Sequence, residues 1–283
     1  MRWILACVFV VVFFVTPLFA QGQTGTLEQI KKTGKINLGY RASLPPMSFL
    51  DKNGAPVGYS IDLCEQIVTE VEKSIGSDVK IEYVPVTSEN RFAALIDNRI
   101  DILCGAATKT MSRGELVDFT QLTFVTGASF MALKETQIMN NFEGKKIGVS
   151  KGTTTAAALT KLLEEAQTKA EVILMESSAD ALEALDKGEV DAIAADQVVL
   201  IGLAMTSGHL ANYSVLPDLF SYEPLALAVR RNDADFRLVA DRVISDLYRS
   251  RKILDIYDKW FGLFSKKRSS AFDALIQLNA IPE

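Results

Sequence analysis

The two halves of this chain carry the same succession of segments, and no other feature constrains its fold as strongly. Residues 92–108 run from a helical pattern through a turn into a short apolar strand and a polar segment, and residues 181–196 repeat that order. Residues 35–40 are predicted as a strand and residues 178–186 as a helix. Strands that alternate with helices are typical of an α/β sheet with many parallel pairs. The pattern predicts two similar lobes and not a tandem solenoid.

Two extended stretches, residues 124–131 and 220–229, join apolar β-like segments through small or turn-forming residues. Two crossings mean that the chain leaves the first lobe, builds the second lobe and returns. We expect residues 24–127 with 224–283 to form lobe 1, and residues 128–223 to form lobe 2. The amphipathic helical pattern over residues 233–260 would pack that region back against lobe 1.

The N-terminus is typical of a secretory signal peptide. Arg2 supplies a positive charge, residues 3–19 are almost wholly apolar, and Ala20 ends a small-residue cleavage pattern. An uncleaved membrane anchor is the alternative, since the apolar run is near the lower length limit for crossing a bilayer. We expect residues 1–20 to be a signal peptide and the mature protein to be exported and soluble.

The net charge argues against a nucleic-acid-binding site, and the histidine and cysteine content argues against a metal site. A net charge of −5 excludes most nucleic-acid binding, which needs a strongly basic face. The single histidine, His209, and the lack of a cysteine cluster argue against a metal site. The mature chain keeps Cys64 and Cys104; export permits a disulfide between them, and two separate buried thiols are the alternative.

Arginines and hydroxyl residues gather where predicted strands end. The strand predicted over residues 100–104 runs into a loop of small and hydroxyl residues, and an arginine follows that loop. Ligands of open α/β sheets bind beyond the carboxyl ends of strands. A guanidinium offers two parallel donors and a threonine one neutral donor, which suits a carboxylate or a phosphate. The residues so placed are Arg41, Ser88, Arg91, Thr108 and Arg113. The alternative is that the arginines form weak surface ion pairs, Arg41 with Asp51 or Asp62.

Lobe 2 offers two complementary features. Gly152, Thr153 and Thr154 open a long helix, where backbone donors and the helix dipole attract an anion. Asp196 ends a strand, and an acid opposite several arginines is what an α-amino acid needs for its ammonium and its carboxylate. The alternatives are an ordinary helix cap at Thr153 and a cap of the next helix by Asp196.

Seven motifs spread over the mature chain are typical of one family. They are Gly-Tyr-Arg at 39–41, Gly-Tyr-Ser-Ile-Asp at 58–62, Thr-Ser-Glu-Asn-Arg at 87–91, Cys-Gly-Ala-Ala-Thr at 104–108 with Arg113, Gly-Thr-Thr at 152–154, Asp196, and Lys-Trp-Phe at 259–261. The chain resembles the periplasmic amino-acid-binding proteins of ABC importers, family 3 of the solute-binding proteins, and within it the glutamate/aspartate-binding branch. The resemblance implies the two-lobed type II periplasmic-binding-protein fold. In that fold each lobe is a mixed, mostly parallel sheet flanked by helices, and two hinge strands join the lobes.

The resemblance also implies a role for each matched residue. Arg113 and Thr108 hold the α-carboxylate and Asp196 holds the α-ammonium. The side-chain carboxylate faces Arg41, Ser88 and Arg91, and lobe 2 adds donors from Thr153 or Thr154. Two positions depart from the branch, because Ala106 stands where it usually has serine and Ser178 where it can have histidine. Both departures leave room for ligands other than glutamate and aspartate.

The implied function is that of an extracytoplasmic, periplasmic binding protein that needs no cofactor. The protein would be a monomer that captures an amino acid, with glutamate or aspartate as the expected ligand. It would deliver that amino acid to the membrane permease of an ABC importer. Other ligands on the same fold are a neutral amino acid or another carboxylate, and a sensor is an alternative partner. A dehydratase-type enzyme is disfavoured, because no nucleophile–base pair or carboxylate dyad is visible among the loop residues.

Overall fold

A computed structural model describes residues 25–136, 141–262 and 268–282. The predicted signal peptide, residues 1–20, lies outside the described residues. The helices are α1 (Thr26–Thr33), α2 (Tyr59–Ile75), α3 (Arg91–Ile96), α4 (Met111–Gly114), α5 (Thr154–Glu165), α6 (Ser178–Asp186), α7 (Gln197–Thr206), α8 (Ala234–Arg249), α9 (Ile253–Phe261) and α10 (Ser270–Leu278). The strands are β1 (Lys35–Tyr40), β2 (Ser43–Leu44), β3 (Ser48–Leu50), β4 (Pro56–Val57), β5 (Lys80–Pro85), β6 (Ile102–Thr108), β7 (Val117–Thr126), β8 (Ala128–Leu133), β9 (Lys146–Ser150), β10 (Glu171–Met175), β11 (Ala192–Asp196), β12 (Tyr213–Val215) and β13 (Glu223–Arg230).

Two five-stranded sheets organise the molecule. The first has the order β5-β1-β6-β13-β7, and the second has the order β10-β9-β11-β8-β12. In each sheet four of the five strands run in the same direction, and one strand, β13 in the first sheet and β8 in the second, runs antiparallel to its two neighbours. Helices cover the sheets with their apolar sides, as α2 does with Ile61, Ile67 and Val71, all buried. The predicted α/β fold with two lobes and mixed, mostly parallel sheets is confirmed.

The chain passes between the two sheets twice, and the two passages touch. The first is the step from β7 to β8 through Gly127, and the second is the segment that leads from β12 into β13. The N–H of Ala128 donates to the Ser221 hydroxyl oxygen at 3.0 Å. A Cβ at Gly127 would lie 2.3 Å from the Ser221 carbonyl oxygen, so only glycine allows this approach. The exact lobe bounds stay a prediction; strand β13 already pairs with β7 at Glu223.

Two parts of the secondary structure differ from expectation. The loop expected after the strand at 100–104 is itself strand, since β6 runs on to Thr108 and pairs there with β13. Helix α10 has no counterpart in the sequence prediction. Its Phe272 is fully buried with Phe124 and Tyr257, and the Asn279 side chain donates to the Leu122 carbonyl, so α10 packs on strand β7. Within the described ranges, no helix is both long enough and apolar enough to cross a bilayer.

A disulfide joins Cys64 on α2 to Cys104 on β6, which settles the alternative left open by the sequence. The bond closes a loop across 40 residues. In the chain-entropy account a loop of this size stabilises the folded state by about 3–4 kcal/mol, because the unfolded chain loses freedom.

Replacing both cysteines with alanine is therefore expected to lower the free energy of unfolding by about 3 kcal/mol. Guanidinium unfolding of the ligand-free mature protein measures the change, with reduced wild-type protein as the control. A loss below about 1 kcal/mol in both samples would show that the crosslink contributes little.

Candidate functional site

A cleft between the two sheets collects most of the predicted site residues. Those on its wall are Arg41, Arg91, Ala106, Thr108, Arg113, Thr153, Thr154 and Asp196. Ser178, noted in the sequence as a departure, also lines it. Ser88 does not line the cleft: it is buried, and its carbonyl oxygen would lie 3.3 Å from a Cβ at Gly152.

The strand order explains why these residues meet. Strands β1 and β6 are parallel neighbours, so Arg41 after β1 and Thr108 at the end of β6 reach the same edge of the first sheet. In the second sheet, β9 leads into α5 and β11 ends at Asp196, again as parallel neighbours. The two edges face each other across the cleft.

Three buried or partly buried guanidinium groups dominate one side of the cleft. Arg91 is 3% exposed and Arg41 is 5% exposed. The Arg91 Nη2 donates to the Gly152 carbonyl at 3.2 Å, and the Arg113 Nη1 donates to the Thr108 carbonyl at 2.9 Å. Both guanidinium groups also lie over the ring of Phe92, at 4.9 and 5.4 Å from its centre. Among the described residues, none of the three arginines forms an ion pair with a carboxylate.

The pKa values of the three arginines are lowered, first of all by burial. Burial lowers the pKa of Arg41 to about 10. Burial, and then the like charges of Arg113 and Arg41, hold the pKa of Arg91 well below its ordinary value. The Nε of Arg91 and the hydroxyl of Ser88 are two of three buried side-chain polar atoms without a hydrogen-bond partner in the described part of the chain. An anion in this part of the cleft would relieve the electrostatic cost.

Asp196 lies on the opposite side of the cleft. It precedes α7, but its side chain forms no capping bond with that helix. Burial by the surrounding atoms, and then the negative charge of Glu223, raise the pKa of Asp196 to about 7. The carboxyl is therefore available to a cation that enters the cleft.

Thr153 is a helix cap, which is the alternative that the sequence left open. Its hydroxyl caps α5 by accepting from the Ala156 N–H at 3.1 Å, and it donates to the Ser150 carbonyl at 2.7 Å. What this end of α5 can offer a ligand is therefore backbone N–H groups and the helix dipole.

Glu223 is the residue of this region that sequence reasoning missed. It is 1% exposed, and its carboxylate accepts hydrogen bonds from the hydroxyls of Thr108 and Thr154 at 2.5 and 2.7 Å. The signal was present in the sequence, because an acid inside an apolar extended stretch must find partners when it is buried. That stretch was interpreted only as a connection between lobes.

The two sides of the cleft touch each other. Lys151 pairs with Glu89 at 2.9 Å, and the hydroxyls of Thr108 and Thr154 are 3.1 Å apart. Near another part of the cleft, a Cβ at Gly202 on α7 would lie 2.2 Å from the carbonyl oxygen of Pro45. The conformation is closed.

Comparison with known proteins gives consistent results. The family model described as bacterial extracellular solute-binding proteins, family 3, matches residues 36–263. An L-glutamate/L-aspartate-binding protein of Pseudomonas aeruginosa is 31% identical over 91% of this chain and 87% of its own length. A glutamate/aspartate import solute-binding protein of Escherichia coli K12 is 30% identical over 83% of this chain and 79% of its own length.

Solved structures share the architecture. The cysteine-binding protein of Campylobacter jejuni superimposes with a TM-score of 0.77, is 24% identical, and covers 88% of this chain and 98% of its own. At this identity the likeness speaks for the fold alone.

Proposed function

This chain belongs to the bacterial extracellular solute-binding proteins of family 3, and from that premise we propose that it captures an acidic amino acid, glutamate or aspartate, between its lobes. It then delivers the ligand to the permease of an ABC importer. It acts in the periplasm as a monomer, and it performs no reaction on its ligand. The two relatives named for glutamate and aspartate support this choice of ligand.

The observation that carries the proposal is the charge balance of the cleft. Three guanidinium groups, from Arg41, Arg91 and Arg113, and the carboxyl group of Asp196 line the cleft. The buried carboxylate of Glu223 lies beside it and acts on Arg113 and Asp196. An excess of one buried positive charge is costly unless a ligand neutralises it. Glutamate and aspartate carry two carboxylates and one ammonium, so their net charge is opposite and equal to that of the cleft. A neutral amino acid would leave the excess uncompensated.

The roles of the residues follow from their sides of the cleft. Arg113 and the backbone at Thr108 hold the α-carboxylate, and Asp196 holds the ammonium. Arg91, with its unpartnered Nε, and Arg41 face the side-chain carboxylate, with Ser88 behind them. From the opposite lobe, Thr153 and Thr154 contribute the backbone N–H groups at the start of α5. At Ala106 the wall has a methyl group in place of a hydroxyl, so the other donors must orient the ligand.

Ligand binding and closure of the two lobes are thermodynamically coupled. A ligand that contacts both lobes favours the closed form over the open form by its differential affinity. The closed form already has its own contacts across the cleft, such as Lys151 with Glu89 and Arg91 with Gly152. The ligand adds the charge neutralisation that these contacts lack.

A melting-temperature panel on ligand-stripped, refolded mature protein tests the proposal. A ligand at a thousand times its dissociation constant stabilises the folded state by about 4 kcal/mol. For a chain of this size that corresponds to a shift on the order of 10 °C. We expect glutamate or aspartate at 1 mM to give such a shift, and glutamine, asparagine and arginine to give much smaller ones. A large shift with a neutral amino acid alone would contradict the acidic assignment, and no shift with any amino acid would contradict the function.

Binding is also expected to release a proton near neutral pH. With the cleft closed and empty, burial holds the pKa of Asp196 at about 7, and an ammonium beside the carboxylate lowers that pKa. Below pH 7 the carboxyl must therefore lose its proton as the ligand binds. Affinity for L-glutamate should rise with pH, by at most about tenfold per unit, up to about pH 7 and then level off. Titration calorimetry in two buffers of different ionisation enthalpy counts the proton. Constant affinity from pH 5.5 to 8 without proton release would contradict the assignment.

A further inference from the structure

Glu223 connects the two lobes at the ammonium end of the cleft. Its Oε2 accepts from Thr108 on β6 of the first sheet and from Thr154 at the start of α5 in the second lobe. Its Oε1 accepts from the Ser221 hydroxyl at 2.7 Å. The carboxylate is thus fixed from three directions, and it lies on the strand that re-enters the first sheet.

These hydrogen bonds determine what the two threonines can offer to a ligand. A threonine hydroxyl has one proton and two lone pairs. An ionised carboxylate accepts only, and bonds to it are shorter and stronger than bonds between two neutral hydroxyls. Both protons therefore point to Glu223, at 2.5 and 2.7 Å, and not along the 3.1 Å line between the hydroxyls. Only lone pairs remain to face the cleft.

Lone pairs bind donors and repel carboxylates. With its proton held by Glu223, the Thr108 hydroxyl cannot donate to the α-carboxylate, and Thr154 is in the same state. Both can accept from an ammonium. The charge of Glu223 also acts on this end of the cleft, since it raises the pKa of Asp196. The two hydroxyls and the two carboxylates therefore favour a cation, beside Arg113, which interacts with both Glu223 and Asp196.

We propose that Glu223 is a positioning residue that makes the site require an ammonium, by holding the hydroxyl protons of Thr108 and Thr154 and by adding a second negative charge near Asp196. This inference rests on the proposed function and deepens it. A dicarboxylate without an amino group brings two negative charges and no cation, so with Asp196 and Glu223 both ionised the occupied cleft carries one negative charge in excess. Glu223 therefore makes the protein reject such a ligand. Glu223 thereby lets the protein discriminate acidic amino acids from dicarboxylic acids of the same size and shape.

The variant Glu223→Gln tests this assignment. Glutamine keeps the length of the side chain and one carbonyl acceptor, but it removes the negative charge. The measured quantity is the ratio of the dissociation constants of glutarate and L-glutamate, with glutarate followed by competition up to tens of millimolar. We expect the ratio to fall at least tenfold, because glutamate binds more weakly while glutarate binds as well as before or better. Glu164→Gln, exposed at the far end of α5, is the control and should leave both constants unchanged.

Three results would overturn the assignment. One is an equal loss for both ligands, which is the behaviour of a residue that only braces the closed lobes. Another is an unchanged constant for glutamate, and the third is glutarate binding that stays undetectable in the variant. Failure of the proposed function is a separate result, since wild-type protein would then bind no acidic amino acid. If wild-type protein binds no acidic amino acid, the same ratio of dissociation constants is measured with two other ligands. One is the amino acid that gives the largest melting-temperature shift, and the other is its analogue without the amino group.

Discussion

Replacing Arg91 with methionine is expected to weaken L-glutamate binding by more than a hundredfold without destabilising the ligand-free protein. Arg91 is buried, forms no ion pair among the described residues, and has an Nε without a partner. Removing one partner of a buried charge pair costs about 3 kcal/mol, which is a factor of more than a hundred in affinity. In the empty protein the same guanidinium is an uncompensated charge, and an apolar side chain of similar volume is neutral or stabilising there.

The ratio of the dissociation constants of glutamate and glutamine distinguishes the loss of the Arg91 charge from a general loss of lobe closure. Arg91 also bonds to the Gly152 carbonyl across the cleft, and loss of that bond weakens all ligands alike. The charge effect weakens glutamate selectively, so the ratio of the two dissociation constants should collapse. Arg242→Met, on the exposed side of α8, is the matched control. If the ratio of the glutamate and glutamine dissociation constants is unchanged in Arg91→Met, Arg91 does not recognise the side-chain carboxylate.

The second large effect is expected at Gly202. A Cβ at this position would lie 2.2 Å from the Pro45 carbonyl oxygen and 2.8 Å from the Pro46 nitrogen, and these are backbone atoms that no rotamer change can move away. Pro45 lies between β2 and β3, whereas Gly202 is on α7, which packs on the second sheet. Gly202→Ala should therefore oppose closure, and loss of the contacts from one lobe should weaken binding by about a hundredfold or more.

The same substitution should stabilise the open, ligand-free protein. Alanine is favoured over glycine inside a helix by up to about 1 kcal/mol. Affinity and ligand-free melting temperature are thus expected to change in opposite directions, which a general folding defect does not produce. Small-angle X-ray scattering at saturating ligand provides the direct measurement: wild-type protein contracts and the variant stays extended. Normal contraction of Gly202→Ala would mean that the two lobes close in a different arrangement near Pro45.

Local patterns were sufficient to predict elements whose structure depends on nearby residues. Strand β1 and helix α6 have the bounds that the sequence predicts. The repeated order of segments also predicted two similar lobes with parallel strand pairs, because parallel strands need helical crossovers of the kind that the chain supplies. Of the candidate site, the arginines and Asp196 were predicted from their positions at or just after strand ends, and the structure brings them together in one cleft.

The rest depends on partners that are distant in sequence. Residues 105–108 look like a loop, yet β13, more than a hundred residues later, provides the pairing that makes them strand. Helix α10 becomes stable by burying Phe272 on Phe124 and Tyr257, a surface that no local pattern indicates. Glu223 was missed for the same reason, since its partner Thr108 lies 115 positions earlier.

The most direct test of the central claim is calorimetric titration of the ligand-stripped mature protein with L-glutamate and L-glutamine at the same pH. These two molecules differ in one charge at nearly equal size, so the pair isolates the charge balance of the cleft. We expect a dissociation constant for glutamate of about a micromolar or below, near −8 kcal/mol. We also expect that glutamine binds at least a hundredfold more weakly. Equal or tighter binding of glutamine would contradict the claim that the three arginines select an acidic amino acid.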